Sequence, residues 1–275
     1  MRNILKTAVL AGLIACSTLT FAEPVLTIVN EQYKQSLDKQ TLLNSTSLRE
    51  IDIPSDVSYH KPMRYKAIPL QPLLKQAGID PADILKVVAT DGFAVSLPAH
   101  LLLAEGKAEP FLAIETDDAP WPAVKPGKPA SAGPLYLVWL NPEKSSITPE
   151  MWPYQVARID RVPPIETRFP QLLPSAKLPA SSPIHHGFAM FKQHCLPCHT
   201  LNKGGDASLG PDLNVPYNPT EYFREPYLRM MVRNPQKLRH WDKAVMPAVD
   251  EKFLSESDLT DLLEYLRHMS KRKVK

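Results

Sequence analysis

The run Cys195-Leu196-Pro197-Cys198-His199 carries the most concentrated chemistry in this sequence. Two thiols separated by two residues and followed at once by an imidazole form C-x-x-C-H, the attachment sequence for c-type haem. The spacing has a chemical reason. Two thiols across one bend of chain can each add to a haem vinyl group, giving two thioethers, and the next residue then places an imidazole under the iron. Covalent attachment fixes the cofactor's orientation and exposes one edge reproducibly, which suits handing electrons to a partner. Two other readings compete for the same letters. A redox dithiol sits at the start of a helix after a strand in a βαβ pattern, whereas the segment before Cys195 reads as helical. A structural zinc site needs two further Cys or His ligands; no cysteine follows Cys198, so only histidines could complete it.

Three helices must position this motif. Ser182-Pro183 supplies an N-cap followed by proline at the first helical position. Ile184, Phe188, Phe191 and Cys195 then recur at helical spacing, so the first helix delivers Cys195 to the site. Gly187 lies on or beside that face, where close approach of another helix would explain a residue that disfavours helix. Ser255 with Asp258 resembles a capping box that opens the last helix, and Leu259, Leu262, Leu263, Leu266 and Met269 form its apolar stripe. A plain amphipathic helix would show the same stripe. A middle helix is expected over about 222–232, broken by Pro226 near its start and ended before Pro235. Between them, Met246-Pro247 sits in a proline-flanked loop just ahead of the last helix. A thioether there can coordinate iron opposite His199, and His/Met ligation raises the reduction potential. Methionine as core filler is the bland reading. His240 is the best rival ligand, with His194 and His268 behind it.

In this order and spacing, residues 183–275 resemble a small class I cytochrome c. The match comprises Gly187 and Phe191 before Cys195-x-x-Cys198-His199, then Gly210-Pro211-Asp212-Leu213, Met246-Pro247 and Tyr265-Leu266. The resemblance implies an all-α domain with one covalently bound haem c, held through Cys195 and Cys198, with His199 and Met246 as the axial iron ligands. It further implies that the Pro211 carbonyl accepts a hydrogen bond from the His199 ring, fixing its tautomer. Trp241 and Tyr222 are candidates for the haem pocket or, equally, for ordinary aromatic core.

Residues 24–162 read differently. Short β-like runs over 25–29, 85–89, 94–97, 111–115, 135–140 and 156–162 alternate with turns. One helix is expected near 70–77, closed by Gly78, and Asp91-Gly92 reads as a hairpin turn. Val87-Val88-Ala89-Thr90-Asp91-Gly92-Phe93-Ala94-Val95-Ser96-Leu97-Pro98, then Gly133-Pro134-Leu135-Tyr136-Leu137-Val138 and Val156-Ala157-Arg158-Ile159-Asp160, resemble the later half of the molybdopterin-binding domain of the sulfite oxidase family. That resemblance implies a mainly-β (α+β) scaffold. Its enzymes ligate molybdenum with a cysteine thiolate, and here no cysteine lies between Cys16 and Cys195. The expectation is therefore a related scaffold without molybdopterin or molybdenum, serving to dock a partner, with no catalytic constellation of its own.

At 275 residues the chain exceeds one ordinary domain. A stretch at 163–182 rich in proline and serine reads as a semi-extended linker that resists folding into either neighbour. The formal net charge of +3, with acids and bases mixed, gives no sign of a nucleic-acid surface. Arg2 and Lys6 precede a short apolar run, and small residues follow to Ala22, the pattern of a secretory signal over residues 1–22. Release to the periplasm after Ala22 is one outcome; Leu13-Ile14-Ala15-Cys16 also resembles a lipobox, which would make Cys16 a lipid anchor. The expected whole is a non-enzymatic electron carrier working between periplasmic redox proteins. A haem enzyme or gas sensor with a displaceable sixth ligand, and a binding module with a structural haem, are the alternatives.

Overall fold

The protein, described here by a computed structural model, is defined over residues 23–125, 127, 129–240 and 246–275. The expected leader, with Cys16, lies outside these residues.

Alternation of buried and exposed side chains organises the first part of the chain into strands. These are β1 (Pro24–Val29), β2 (Lys34–Asp38), β3 (Arg49–Ile53), β4 (Met63–Pro69), β5 (Ile84–Ala89), β6 (Ala94–Pro98), β7 (Glu109–Ile114), β8 (Leu135–Leu140) and β9 (Val156–Val162). They form one sheet of order β2-β1-β9-β5-β6 and a second of order β3-β4-β7-β8. Among the described residues, β1 and β9 pair in parallel and the other strand pairings are antiparallel. Side chains from both sheets, among them Leu26, Ile53, Leu85, Phe111 and Trp139, fill a single core. Edge strand β8 is buried along most of its length because residues 151–154 cover it. There the Leu137 amide donates to the Pro153 carbonyl at 3.0 Å and the Trp139 indole to the Met151 carbonyl at 2.8 Å, which closes an edge that would otherwise invite pairing.

Short helices α1 (Lys39–Leu43), α2 (Leu70–Gln76) and α3 (Ala99–Leu102) connect these strands. The expected helix near 70–77 is α2, and Gly78 follows it at φ +68°, the left-handed conformation that ends helices. The Asp91-Gly92 turn joins β5 to β6 with Gly92 at φ +94°.

The second part is helical. Helix α4 (Ile165–Arg168) precedes α5 (Pro183–His194), α6 (Pro219–Tyr222), α7 (Glu225–Arg233), α8 (Pro235–Leu238) and α9 (Glu256–Ser270). Ser182 caps α5 and accepts from the Ile184 amide; Ser255 and Asp258 form the reciprocal capping box of α9. The crossing of α5 and α9 explains Gly187: a Cβ there would lie 2.0 Å from the Asp261 carbonyl oxygen and 2.8 Å from Tyr265 Cβ. The expected middle helix is α7, which Pro226 opens in its first turn and does not break; Tyr222 belongs to the separate α6, and Phe223 and Arg224 part the two.

The stretch at 163–182 differs from its sequence reading. It contains α4 and a 3-10 turn at Pro170–Leu172, and Ile165 and Leu172 enter the helical core. The buried Tyr265 hydroxyl donates to the Leu172 carbonyl at 2.7 Å. Its prolines start short helical turns, and the apolar residues between them find a surface to bury against.

Candidate functional site

The end of α5 builds the first part of the site. Cys195 and Leu196 amides both donate to the Phe191 carbonyl at 3.0 Å, and those of Cys198 and His199 donate to the Cys195 carbonyl at 3.0 and 2.9 Å. The helix thus tightens into one compact turn that carries both thiols, with Leu196 buried beneath it. Cys195 and Cys198 are free thiols. Burial pushes both up to about 12, and the Glu150 carboxylate adds to this for each. A dithiol redox centre needs the opposite, a thiol lowered toward neutral pH. The zinc reading also lacks support: among the described residues, no group of three or more Cys, His, Asp or Glu is placed to hold a metal ion.

His199 is set by the loop that follows. Its Nδ1 donates to the Pro211 carbonyl at 2.8 Å, so Nε2 carries the free lone pair. Burial lowers the pKa of His199 from its ordinary value, although the Pro211 carbonyl pulls the other way. The ring is therefore neutral at neutral pH, the form that binds metal. Gly210 lies against it: a Cβ at this position would come within 2.4 Å of Cε1 and 2.6 Å of Nδ1. The close approach requires glycine there. The Gly210 amide donates to the Cys198 carbonyl at 2.7 Å, and the Leu213 amide to the Thr200 carbonyl at 2.8 Å, so residues 210–213 run alongside the attachment turn.

Asp212 fastens that arrangement. Its carboxylate accepts from the amides of Asn202, Lys203, Asn214 and Val215 and from the Thr200 hydroxyl, at 2.7–3.1 Å. Burial raises its pKa, but these donors outweigh burial and hold it below the ordinary carboxylate value. Three buried asparagines continue the network. Asn214 Nδ2 donates to Asn202 Oδ1 and to the Met269 carbonyl, and Asn218 Nδ2 donates to Asn214 Oδ1 and to the Leu266 carbonyl. The loop behind His199 is thereby tied to the last turns of α9, whose carbonyls need partners outside the helix. Sequence reading singled out Gly210-Pro211-Asp212 but missed this ladder; Asn214 and Asn218 four residues apart were its only trace.

Met246 is half-buried in the loop before α9. That loop is fixed to the end of α7: the Val249 amide donates to the Val232 carbonyl at 3.1 Å, and the Arg233 guanidinium donates to the Val249 carbonyl at 3.1 Å. Two of the rival histidines are engaged elsewhere. His194 Nδ1 meets Glu150 Oε1 at 2.8 Å, and His268 Nε2 accepts from the Ser175 amide at 3.1 Å. Tyr222 ends α6 largely exposed, its ring centroid 4.8 Å from that of Phe223. Trp241 lies outside the described residues. Cys195, Cys198, His199 and Pro211 thus converge on one site, and Met246 is carried on a separately anchored loop.

Two reduced thiols, a neutral imidazole with its outer nitrogen free, and a glycine cleared from the ring's side fit covalent haem c. A comparison with protein-family models matches residues 184–270 to the family described as Cytochrome c. Comparison with curated proteins gives no match. The C-terminal helical part is therefore a cytochrome c domain, which supports a haem-based electron-transfer role and implies covalently bound haem c.

Proposed function

We propose that this chain is an exported mono-haem c-type cytochrome that carries electrons between redox partners and turns over no substrate of its own. The observation that carries the reading is the His199 ring, its Nδ1 donating to the Pro211 carbonyl at 2.8 Å, directly behind two free thiols in a segment matched as cytochrome c. When bound, the haem supplies a one-electron couple on its iron. The chain's own residues do the rest. Cys195 and Cys198 hold the group, and His199 offers Nε2 as proximal ligand. Pro211, Gly210 and Asp212 fix the direction in which that nitrogen points. Met246 is the sixth ligand, on a loop that its neighbours hold to α7 and so restrain from swinging freely.

The first domain is read as a scaffold related to the sulfite oxidase type but without molybdenum. Its sheet-rich core and the lack of any cysteine between Cys16 and Cys195 support that. The leader pattern favours the periplasm, with a lipid anchor at Cys16 as the other outcome; the mass of the mature N-terminus separates the two. Absorption of the oxidised and reduced protein tests the carrier reading. A His/Met charge-transfer band in the far red and no shift on adding carbon monoxide are expected. Ready carbon monoxide binding by the reduced protein would instead support a haem enzyme or gas sensor.

A further inference from the structure

The face of the cytochrome domain that bears the attachment turn is not open. The β5–β6 turn lies across it: the Ala94 amide donates to the Pro197 carbonyl at 3.1 Å, inside the C-x-x-C-H run, and the Ser208 amide donates to the Gly92 carbonyl at 3.0 Å. Gly92 approaches so closely that a Cβ would stand 2.5 Å from Ser208 Oγ. One residue before Cys195, the His194 side chain is 1% exposed and pairs with Glu150, which the first domain contributes. On the far side, Asp206 lies between the Arg168 guanidinium at 2.6 Å and the Lys86 ammonium at 3.5 Å, and Arg168 also donates to Ser96 Oγ at 3.1 Å. The crevice left along this seam, beside Leu196 and Pro197, measures only about 50 Å³.

We propose that the first domain is a built-in cover seated on the haem-attachment turn, occupying the surface that would otherwise meet solvent or a partner there. Backbone hydrogen bonds set its register, the His194–Glu150 pair closes one side, and the Asp206 cluster closes the other. Electron exchange with external partners then takes place through the rest of the cytochrome domain's surface. The first domain is a fixed wall of the site, not an arm on a tether. This rests on the carrier reading above.

The test uses the full chain with haem attached. In the parent, the Ala94 and Ser208 amides are expected to be protected from hydrogen exchange. D206R sets a third cation against Arg168 and Lys86 and is expected to reduce the protection of both amides by about tenfold or more. It is also expected to speed reduction by a neutral hydroquinone while the haem spectrum stays the same. The charge-swapped pair D206R/R168D is expected to restore both values. Unprotected Ala94 and Ser208 amides in the parent, which needs no variant, would overturn the cover. So would unchanged exchange and reduction rates in a folded D206R protein. A chain without haem would instead overturn the carrier reading, so the two failures are distinguishable.

Discussion

At the scale of single residues, a carbonyl and a glycine decide what His199 can do. The Pro211 carbonyl accepts a hydrogen bond from Nδ1–H and Gly210 leaves room for the ring, so the lone pair on Nε2 is both free and aimed. Gly210→Ala forces a methyl to within 2.4 Å of the ring. We expect it to displace His199 and diminish the six-coordinate haem spectrum; an unaltered spectrum would show that the ring tolerates the intrusion. Met246→Ala is expected to leave the haem attached, open the sixth position to carbon monoxide and lower the potential. A variant with the parent's spectrum and potential would remove Met246 from the ligand set. Asp212 gives a pH dependence of definite sign. Its carboxyl is held below the ordinary value of 3.8 in the folded chain, so its contribution is fully present above that pH and drains away as pH falls through the folded value. Asp212→Asn should lose stability at neutral pH and flatten the acid limb of a stability–pH curve; an acid limb identical to the parent's would show that Asp212 does not contribute.

At the scale of elements, the crossing of α5 over α9 holds the attachment turn in place. Gly187 permits it, and the Phe188 and Phe191 rings lie 5.4 and 5.3 Å from Tyr265 across the same contact. Gly187→Ala would press a methyl against the backbone of Asp261, which cannot yield as a side chain does. A loss of about 1–3 kcal/mol is expected, read as a lower denaturant midpoint of the haem-loaded chain; an unchanged midpoint would contradict so close a crossing. Both helices were legible in the sequence because caps and stripes are local signals: Ser182-Pro183 opens one, Ser255 with Asp258 the other. Strands β3 and β4 were not. Their solvent faces carry Glu50, Asp52, Arg64 and Lys66, which mask the alternation of Ile51, Ile53, Tyr65 and Ala67 beneath, and Arg49 opens the inner face of β3 with a charge laid over the Phe111 ring. What stabilises that pairing is partly a cross-strand ion pair, Arg64 with Asp52 at 2.7 Å in direct register, which becomes visible only once the strands are aligned. The short helix α4 escaped for another reason. Proline density was read as extension, whereas Ile165 and Leu172 needed only a neighbouring surface to bury against.

At the scale of the whole molecule, the sequence marked two compositions and the join between them, but not how closely they meet. Glu150 and Asp206 carry no signal in one dimension, and Gly92 reads only as a turn; their partners lie 44, 38 and 116 positions away. Long-range pairs of this kind leave no local pattern, so the attachment motif could be read while the wall beside it could not. The C-x-x-C-H run, by contrast, contains its chemistry within five letters, and the structure adds the half-buried thiols, the His199–Pro211 hydrogen bond and the second loop that make the letters work. Everything proposed for this chain rests on a haem joined through Cys195 and Cys198. Intact-mass analysis of the chain from cells able to mature c-type cytochromes tests that most directly. The expected result is a polypeptide heavier by one haem, resistant to acid–acetone extraction, with the addition lost in the Cys195→Ala/Cys198→Ala double variant. A mature polypeptide at its unmodified mass would contradict the account.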